Sequence, residues 1–515
     1  MTLARWPNND KWTKIKDVPP ELKGKGFAYK RSKPKKWLHE DEIWMHGYWK
    51  WDWADAYEKI QNIDKKKKQI RIADPQSPYP YTKGRKYYYF NILRELDKPG
   101  EWYLDRQNGL LFFYPPSEIT EESEIYVSVL DDYIIQLNHS KNIRIQNIDF
   151  AYSNNGAVKI LQGMDNLIEN CRFTHLGTVA VSIGEHKPAN KKYKINEYFG
   201  DAGTRNGVSG CEISYCGEGG ILLGGGDRKT LKKGNNFVEN CQIHHTSEWV
   251  RTYRPGVYLY GVGNTVKNCE ISDLPHTAIL FKGNDHLIEY NNIHHVCTET
   301  ADAGAIYTGR DWTQTGTLIR YNYIHDLKAK GKSGNHFSRV IGIYLDDFTS
   351  GIHISGNIFY KTDVGILIGG GRNNTIENNI FIEGNPALFI DARGISWAKF
   401  YFKNKKGVLF ERYKAVNANR PPYSEKYPFL VNLPEDEPQL PKNNCIENNV
   451  FCKGKWRLLL NDLDENKICF KNNTVKSSGC DFYQVEGNSI KIDFSSDLFP
   501  SGFEKIPVDR IGVQE

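Results

Sequence analysis

The sequence predicts an all-β fold, a right-handed parallel β-helix (a solenoid) preceded by an antiparallel β module, on three observations. First, a short unit recurs from about residue 140 almost to the C-terminus: an Asn, then an apolar-polar-apolar strand. It reads Asn147-Ile-Asp-Phe150, Asn170-Cys-Arg-Phe173, Gly210-Cys-Glu-Ile213, Asn240-Cys-Gln-Ile243 and Asn268-Cys-Glu-Ile271, and continues less regularly through Ile293, Ile324, Ile358, Ile380, Val450 and Val475. Second, the shortest steps, 271 to 293 and 358 to 380, are 22 residues. That length suits one coil of three short strands and three turns, rising about 4.8 Å on the previous coil. Third, the inward alternation slips by one at Asn268, from Val266 to Cys269 and Ile271. A slip of this kind marks a tight corner. Asn tolerates the left-handed conformation a corner needs, and stacked Asn residues hydrogen-bond from coil to coil.

The cysteines take their meaning from the repeat. Cys171, Cys211, Cys241 and Cys269 share one coil position, so they are expected to stack in the core as small apolar side chains. A metal site or disulfides is the alternative, but no Cys-x-x-Cys occurs. His244, His245, His294, His295 and His325 also recur by coil position and are expected to stack at a turn. His276 and His336 break that pattern and are the stronger functional candidates.

Residues 1–130 form a different region, expected to be a Trp-rich antiparallel β module of sandwich type, with the solenoid over 131–515. Trp49, Trp51 and Trp53 alternate, which predicts one face of a strand. Glu101 to Tyr114 reads as a hairpin turning at Asn108-Gly109. The module's aromatics are expected to form its core and its seam with the solenoid. Long insertions are expected near 180–205 and 394–440.

Composition narrows the function. The net charge is +6 on 68 basic and 62 acidic side chains, and no Lys/Arg run dominates, so nucleic acid is a poor partner. No 18-residue apolar stretch exists to span a membrane. Residues 1–30 show no apolar signal segment, which taken alone points to the cytoplasm.

In each coil one strand opens on a small residue: Gly256-Val-Tyr-Leu-Tyr260, Thr277-Ala-Ile-Leu-Phe281, Gly304-Ala-Ile-Tyr-Thr308, Gly342-Ile-Tyr-Leu-Asp346, Gly365-Ile-Leu-Ile-Gly369 and Ala387-Leu-Phe-Ile-Asp391. With second and fourth positions facing in, the outward columns hold Tyr258, Tyr260, Phe281, Tyr344, Asp346 and Asp391. Aromatics beside carboxylates on an exposed sheet suggest a sugar-binding groove. Glu299, Asp302, Asp346, Asp347 and Asp391 gather there. Glycosidic cleavage needs one carboxylic acid to protonate the leaving oxygen and a second carboxylate as nucleophile or base. One coil of rise and a lateral offset put Asp302 and Asp346 roughly 5 to 9 Å apart, a span that covers both stereochemical outcomes. Arg251, Arg254, Lys282, Arg310, Trp312, Arg372 and Arg393 sit at the same loops. They are suited to sugar hydroxyls or a substrate carboxylate, or to pairing with these Asp residues.

The stretch Glu299 to Trp312 with Gly342 to Asp347 resembles a group of secreted bacterial β-helix proteins similar to glycoside hydrolase family 141. Arg254 to Gly263, Ile368 to Arg372 and Phe389 to Arg393 resemble it too, and the match spans nearly the whole chain. The resemblance implies fucosidase or xylanase chemistry with two catalytic Asp residues, here Asp302 and Asp346. Ala303 stands where many relatives have Gly. Met1 to Asn8 resembles a segment that follows a signal peptide and the first coils in such proteins, which implies a secreted or periplasmic, N-terminally truncated chain.

The sequence therefore leads to a monomeric glycoside hydrolase cleaving a plant or algal polysaccharide or oligosaccharide, without metal or cofactor. Its substrate-binding set is Arg254, Tyr258, Tyr260, His276, Lys282, Glu299, Tyr307, Arg310, Trp312, Asp347, Arg372, Asp391 and Arg393. The alternatives are a lyase or epimerase, with Ca²⁺ held by clustered carboxylates, or a non-catalytic carbohydrate-binding solenoid.

Overall fold

A computed structural model describes all residues except 9–10, 41, 188–197, 329–338 and 515, and the side chains of Tyr198 and Asn404. His336 and part of the insertion near 180–205 lie outside the described residues. The chain divides into one unit of 1–127 with 187–197, and a second of 128–186 with 198–515.

The first unit is built on an antiparallel sheet in the order Arg5–Trp6, Lys86–Phe90, Trp44–Gly47, Ala56–Asp64, Gln69–Ile72, Gly26–Ala28, with Thr13–Lys14 also pairing Lys86–Phe90. Phe27, Trp37, Met45, Trp49, Tyr87 and Tyr89 pack its core. Glu101–Asp105 and Leu110–Tyr114 form the expected hairpin, with Gly109 at φ +66° and the Asp105 carboxylate accepting from the Asn108 and Gln107 backbone amides. The alternating tryptophans do not share a strand, because that strand ends at Gly47. A Cβ at Gly47 would lie 2.9 Å from the Trp49 ring. The chain instead turns, burying Trp49 and stacking Trp51 on Trp53 at 5.9 Å.

The second unit is the β-helix. Its described residues form three parallel sheets of eleven strands each, running from Ile135–Asn138 to Arg457–Leu460 in the first, Arg144–Gln146 to Ile468–Lys471 in the second, and Asp149–Ala151 to Thr474–Lys476 in the third. Strand pairing stacks like on like. The third sheet's inward column is Phe150, Phe173, Ile213, Ile243, Ile271, Ile293, Ile324, Phe359, Phe381, Phe451 and Val475. Ile358, Ile380 and Val450 are thus one residue out of the expected column. They face outward with Tyr323 and are covered by residues near 480–506, including Cys480, Phe482 and Ile506. These strands are apolar on both faces, so alternation carries no sign of which face is inside.

The corners are as the sequence implies: Asn147, Asn170, Asn240 and Asn268 all have φ between +51° and +57°. Among later corners, Asn472 donates to Asn448 from coil to coil at 2.6 Å, but the longer ladder lies elsewhere. Asn240 and Asn268 donate to C-terminal carbonyls, of Gln514 and Gly512. The ladder belongs to the next position, where the Asn291, Asn322, Asn357, Asn379, Asn449 and Asn473 amides bond one another in series at 2.9–3.0 Å. The cysteine column is the same position in earlier coils, since the Cys269 amide donates to the Asn291 side-chain oxygen. Cys171, Cys211, Cys241 and Cys269 are buried and free. Cys452 and Cys480 form a disulfide that ties the C-terminal segment to a late coil. No described helix is long and apolar enough to cross a membrane.

Candidate active site

The first sheet positions the site. Strands Ala303–Gly309, Val340–Asp346, Val364–Gly369 and Leu388–Asp391 lie side by side, with Tyr307 opposite Tyr344, Gly309 opposite Asp346 and Gly369 opposite Asp391. At the strand ends Asp346 and Asp391 therefore flank a glycine. A Cβ on Gly369 would come 2.4 Å from the Arg393 Cζ. The glycine leaves the space in which that guanidinium spans the strand.

Arg393 organises the carboxylates. Its Nε and Nη2 donate to the two oxygens of Asp391 at 2.8 and 2.9 Å. Its Nη1 donates to Asp346 Oδ1 at 2.5 Å and Asp347 Oδ1 at 2.9 Å. Two adjacent Asp residues reach one nitrogen because the chain turns sharply there, with φ +32° at Asp347 and +70° at Phe348. A positive φ at Phe is strained and persists only where packing enforces it. Here Phe348 is buried among Trp312, Leu409 and Phe410. The second Asp347 oxygen accepts from Arg310 Nε at 2.8 Å and the Tyr401 hydroxyl at 3.1 Å.

Asp302 stands at φ +55° just before its strand, its amide bonded to the Arg339 carbonyl. It accepts from the Tyr344 hydroxyl at 3.0 Å, while Asp346 Oδ2 accepts from the Tyr307 hydroxyl at 2.9 Å. The two phenols meet edge to face at 5.5 Å. Burial, then the charge of Asp346, raises the Asp302 carboxyl to about 7, against the opposing Tyr344 bond. Asp346 is also raised, by burial and then by Asp347, with Arg393 opposing. Asp347 is lowered, since Arg393 and Arg310 outweigh its burial. Burial and nearby carboxylates push both phenols well above the usual tyrosine range, so they stay donors. Asp302 has a neutral donor and Asp346 a guanidinium. Burial thus favours the protonated form of both Asp302 and Asp346, and the Arg393 charge opposes it at both.

The structure brings together Asp302, Asp346, Asp347, Asp391, Tyr307, Arg310 and Arg393. It places other expected residues elsewhere. Trp312 is 1% exposed and packs edge-on against Phe410 at 5.1 Å, so it anchors the 394–440 insertion and offers no ring face to a ligand. Arg372 is buried and holds the same insertion by the Asp436 carboxylate and the Asp436 and Glu437 carbonyls. Tyr258 and Tyr260 are buried beneath His186 and Phe199. Asp391 is 1% exposed and serves Arg393. Phe281 points inward, because Ala278, not Thr277, is the residue opposite Gly256. This sets Phe281 on Leu259 and puts Lys282 beside Tyr260. Arg254 pairs with Glu218 at 2.6 Å, Glu299 with Arg251 at 3.2 Å, and His276 bonds Thr300 at 2.9 Å and packs on Tyr253.

Sequence reasoning missed Tyr401 and Trp397, at the start of the insertion, which contact Asp347 and Arg393 of the cluster. Tyr401 carries no local signal. Trp397, four residues beyond Arg393, was findable as an aromatic directly after the last carboxylate strand. Among the described residues no group of three His, Cys, Asp or Glu is arranged to hold a metal ion.

A one-sided row of carboxylates on a parallel coil sheet defines this protein as a β-helix with its polar site on one face. The chain belongs to the right handed beta helix region family, whose model matches residues 133–252 and 255–406. No curated protein matches it in sequence. Among solved structures it is similar to a protein titled "Glycoside hydrolase", with a TM-score of 0.58, 16% identity, and coverage of 74% of this chain and 75% of that one. It also matches XylC in complex with xylose (TM-score 0.34, 11% identity, 88% and 67% covered). A third match is the PL6 family polysaccharide lyase Pedsa3628 from Pseudopedobacter saltans (TM-score 0.36, 12% identity, 76% and 96% covered). Likeness at these identities concerns the fold alone.

Proposed function

We propose that this chain is a glycoside hydrolase of a plant or algal polysaccharide or oligosaccharide, similar to family 141, with Asp302 as general acid and Asp346 as nucleophile or base. The observation that carries the reading is the contrast between two carboxyl groups on neighbouring coils. Asp302 keeps a proton to about pH 7, while Asp346 is held by a guanidinium and a phenol. An acid poised near the working pH beside a second carboxyl group held by a guanidinium is the arrangement that glycosidic cleavage uses. Tyr344 and Tyr307 fix the two carboxyl planes, and Arg310 and Asp347 stand beside them for the sugar hydroxyls.

Charge argues for a neutral sugar. The cluster holds four Asp side chains (Asp302, Asp346, Asp347, Asp391) against two guanidiniums (Arg310, Arg393), and both guanidiniums already bind carboxylates. A polyuronide would meet repulsion here. The Cys452–Cys480 disulfide supports a secreted or periplasmic site of action, where such bonds persist.

The test is reducing-sugar release from a panel of plant and algal glycans by the purified chain and by Asp302→Asn and Asp346→Asn. Release by the wild type and its loss in both folded variants is expected. Full activity in either variant, or an unsaturated product absorbing in the ultraviolet, overturns the reading, the second in favour of a lyase.

A further inference from the structure

We propose that Cys445 and Cys469 form a second disulfide, a cross-link between the last two strands of the second β-helix sheet, made by exchange with a disulfide oxidant. The cross-link does not depend on the hydrolase reading. The order of that sheet ends on Asn444–Glu447 and then Ile468–Lys471. The two strands pair in parallel, with Cys445 opposite Cys469 and Ile446 opposite Phe470. Ile446 and Phe470 pack on the core. Alternation therefore sets both cysteines on the outer face, where each is half-buried, whereas the other six free cysteines are buried. Only this pair, among the free cysteines, is open to an oxidant.

The Cys445 thiol donates to the Cys469 sulfur at 3.0 Å. The buried column bonds differently: Cys171, Cys211, Cys241 and Cys269 each donate to the carbonyl two residues earlier, at 3.2–3.3 Å. Neighbouring strands lie about 4.7–4.9 Å apart, inside the Cα separations of about 4.4–6.8 Å that a disulfide spans. The sulfurs need to close by about 1 Å to reach a bond of about 2.05 Å. A structural zinc takes four ligands, and among the described residues no third His, Cys, Asp or Glu joins the pair in a metal-holding group. Cys469 attacks first, because burial and the Cys469 sulfur push the Cys445 thiol up to about 12. Its thiolate opens the oxidant's disulfide, forming a mixed disulfide and releasing one thiolate. The Cys445 sulfur then loses its proton and attacks Cys469 Sγ, which forms the cross-link and releases the second thiolate. The two protons pass to the released thiolates, so two cysteines are oxidised and one oxidant disulfide is reduced. Among the described strands Ile468–Lys471 is the edge of its sheet, and edges and terminal coils are where a solenoid needs protection. The bond fastens that edge to the coil before it, as Cys452–Cys480 fastens the segment that follows.

The experiment equilibrates the full chain with oxidised glutathione, alkylates the remaining thiols in denaturant and counts them by intact mass. Six alkylated cysteines of the ten are expected, in place of the eight that Cys452–Cys480 alone would leave. Digestion with trypsin and a glutamate-specific protease, which separates Cys445 from Cys452 after Glu447, should return a peptide joining Cys445 to Cys469. Eight alkylated cysteines, or either residue joined to another partner, overturns the proposal. The map is read on the wild-type chain, so it holds however the variants fold. Hydrogen exchange at Ile468–Lys471 should be at least about tenfold slower in the oxidised wild type than in Cys445→Ser/Cys469→Ser carrying the Cys452–Cys480 bond. Equal exchange in the two proteins overturns the fastening of the edge.

Discussion

Arg393 donates from a single nitrogen to both Asp346 and Asp347, and with its other two nitrogens grips Asp391. One side chain therefore ties together separate coil ends and the turn that follows strand Val340–Asp346. Removing a buried partner of this kind leaves its counter-charges unpaired, which costs about 3–5 kcal/mol. Arg393→Met is thus expected to lower stability by that order and to abolish activity. Arg393→Lys keeps the charge but not the fork. It should lose less stability than Arg393→Met in urea unfolding, yet still lose about 100-fold in kcat through misplacement of Asp346. Wild-type kcat in Arg393→Lys would show that position of the carboxylate does not depend on the fork.

The raised carboxyl of Asp302 links stability to pH with a definite sign. In the unfolded chain an Asp ionises near 3.9, in the folded one at about 7. Between those values the folded state holds more protons, so stability falls as pH rises through the interval and is level above it. Asp302→Asn cannot ionise. Its stability relative to wild type should grow from about pH 4 to about pH 7 and then stay constant. Denaturant midpoints for both proteins across pH 4–9 give the comparison, and parallel curves would show that Asp302 titrates as an exposed carboxylate. Activity should decline above about pH 7, as the acid loses its proton.

Much of this is legible in the sequence. The corner asparagines declare the coil, because a residue that tolerates left-handed backbone, recurring in phase with an apolar strand, is what a tight corner requires. Asp302 and Asp346 stand out as carboxylates on a strand edge otherwise aliphatic. What alternation does not encode is sidedness where both faces are apolar. Ile358 and Ile380 fall one position out for that reason, and Thr277 mimics the residue opposite Gly256 because it too is small. Nor does the local sequence show that a later insertion covers a strand. Trp312 and Arg372 look like ligand-binding residues only because the segment they hold, around Phe410 and Asp436, is distant in the chain. Tyr401 is hidden by the same distance. The Asn ladder explains the cysteines in retrospect: Cys269 Sγ donates to the Lys267 carbonyl as Asn322 Nδ2 donates to that of Arg320, so one position carries two residue types that bond alike.

Gly369 gives the sharpest test that the cluster depends on its backbone. The residue sits opposite Asp391 in a regular strand, so alanine is compatible with its conformation. Only space forbids it: the new methyl would lie 2.4 Å from Arg393 Cζ and Nη2 and 2.7 Å from Nη1. Normal carbon contacts are roughly 3.5–4.0 Å, so the guanidinium must shift by about 1 Å and carry Asp346 with it. Gly369→Ala is expected to cost about 1–3 kcal/mol, the usual range for overpacking, and to lower kcat about 100-fold, the loss that a displacement of this size brings. Gly384→Ala is the matched control, because the closest atom to its methyl is 3.5 Å away. That variant should keep full activity. If Gly369→Ala hydrolyses its substrate at the control's rate, the carboxylate geometry set by Arg393 is not what the chemistry requires.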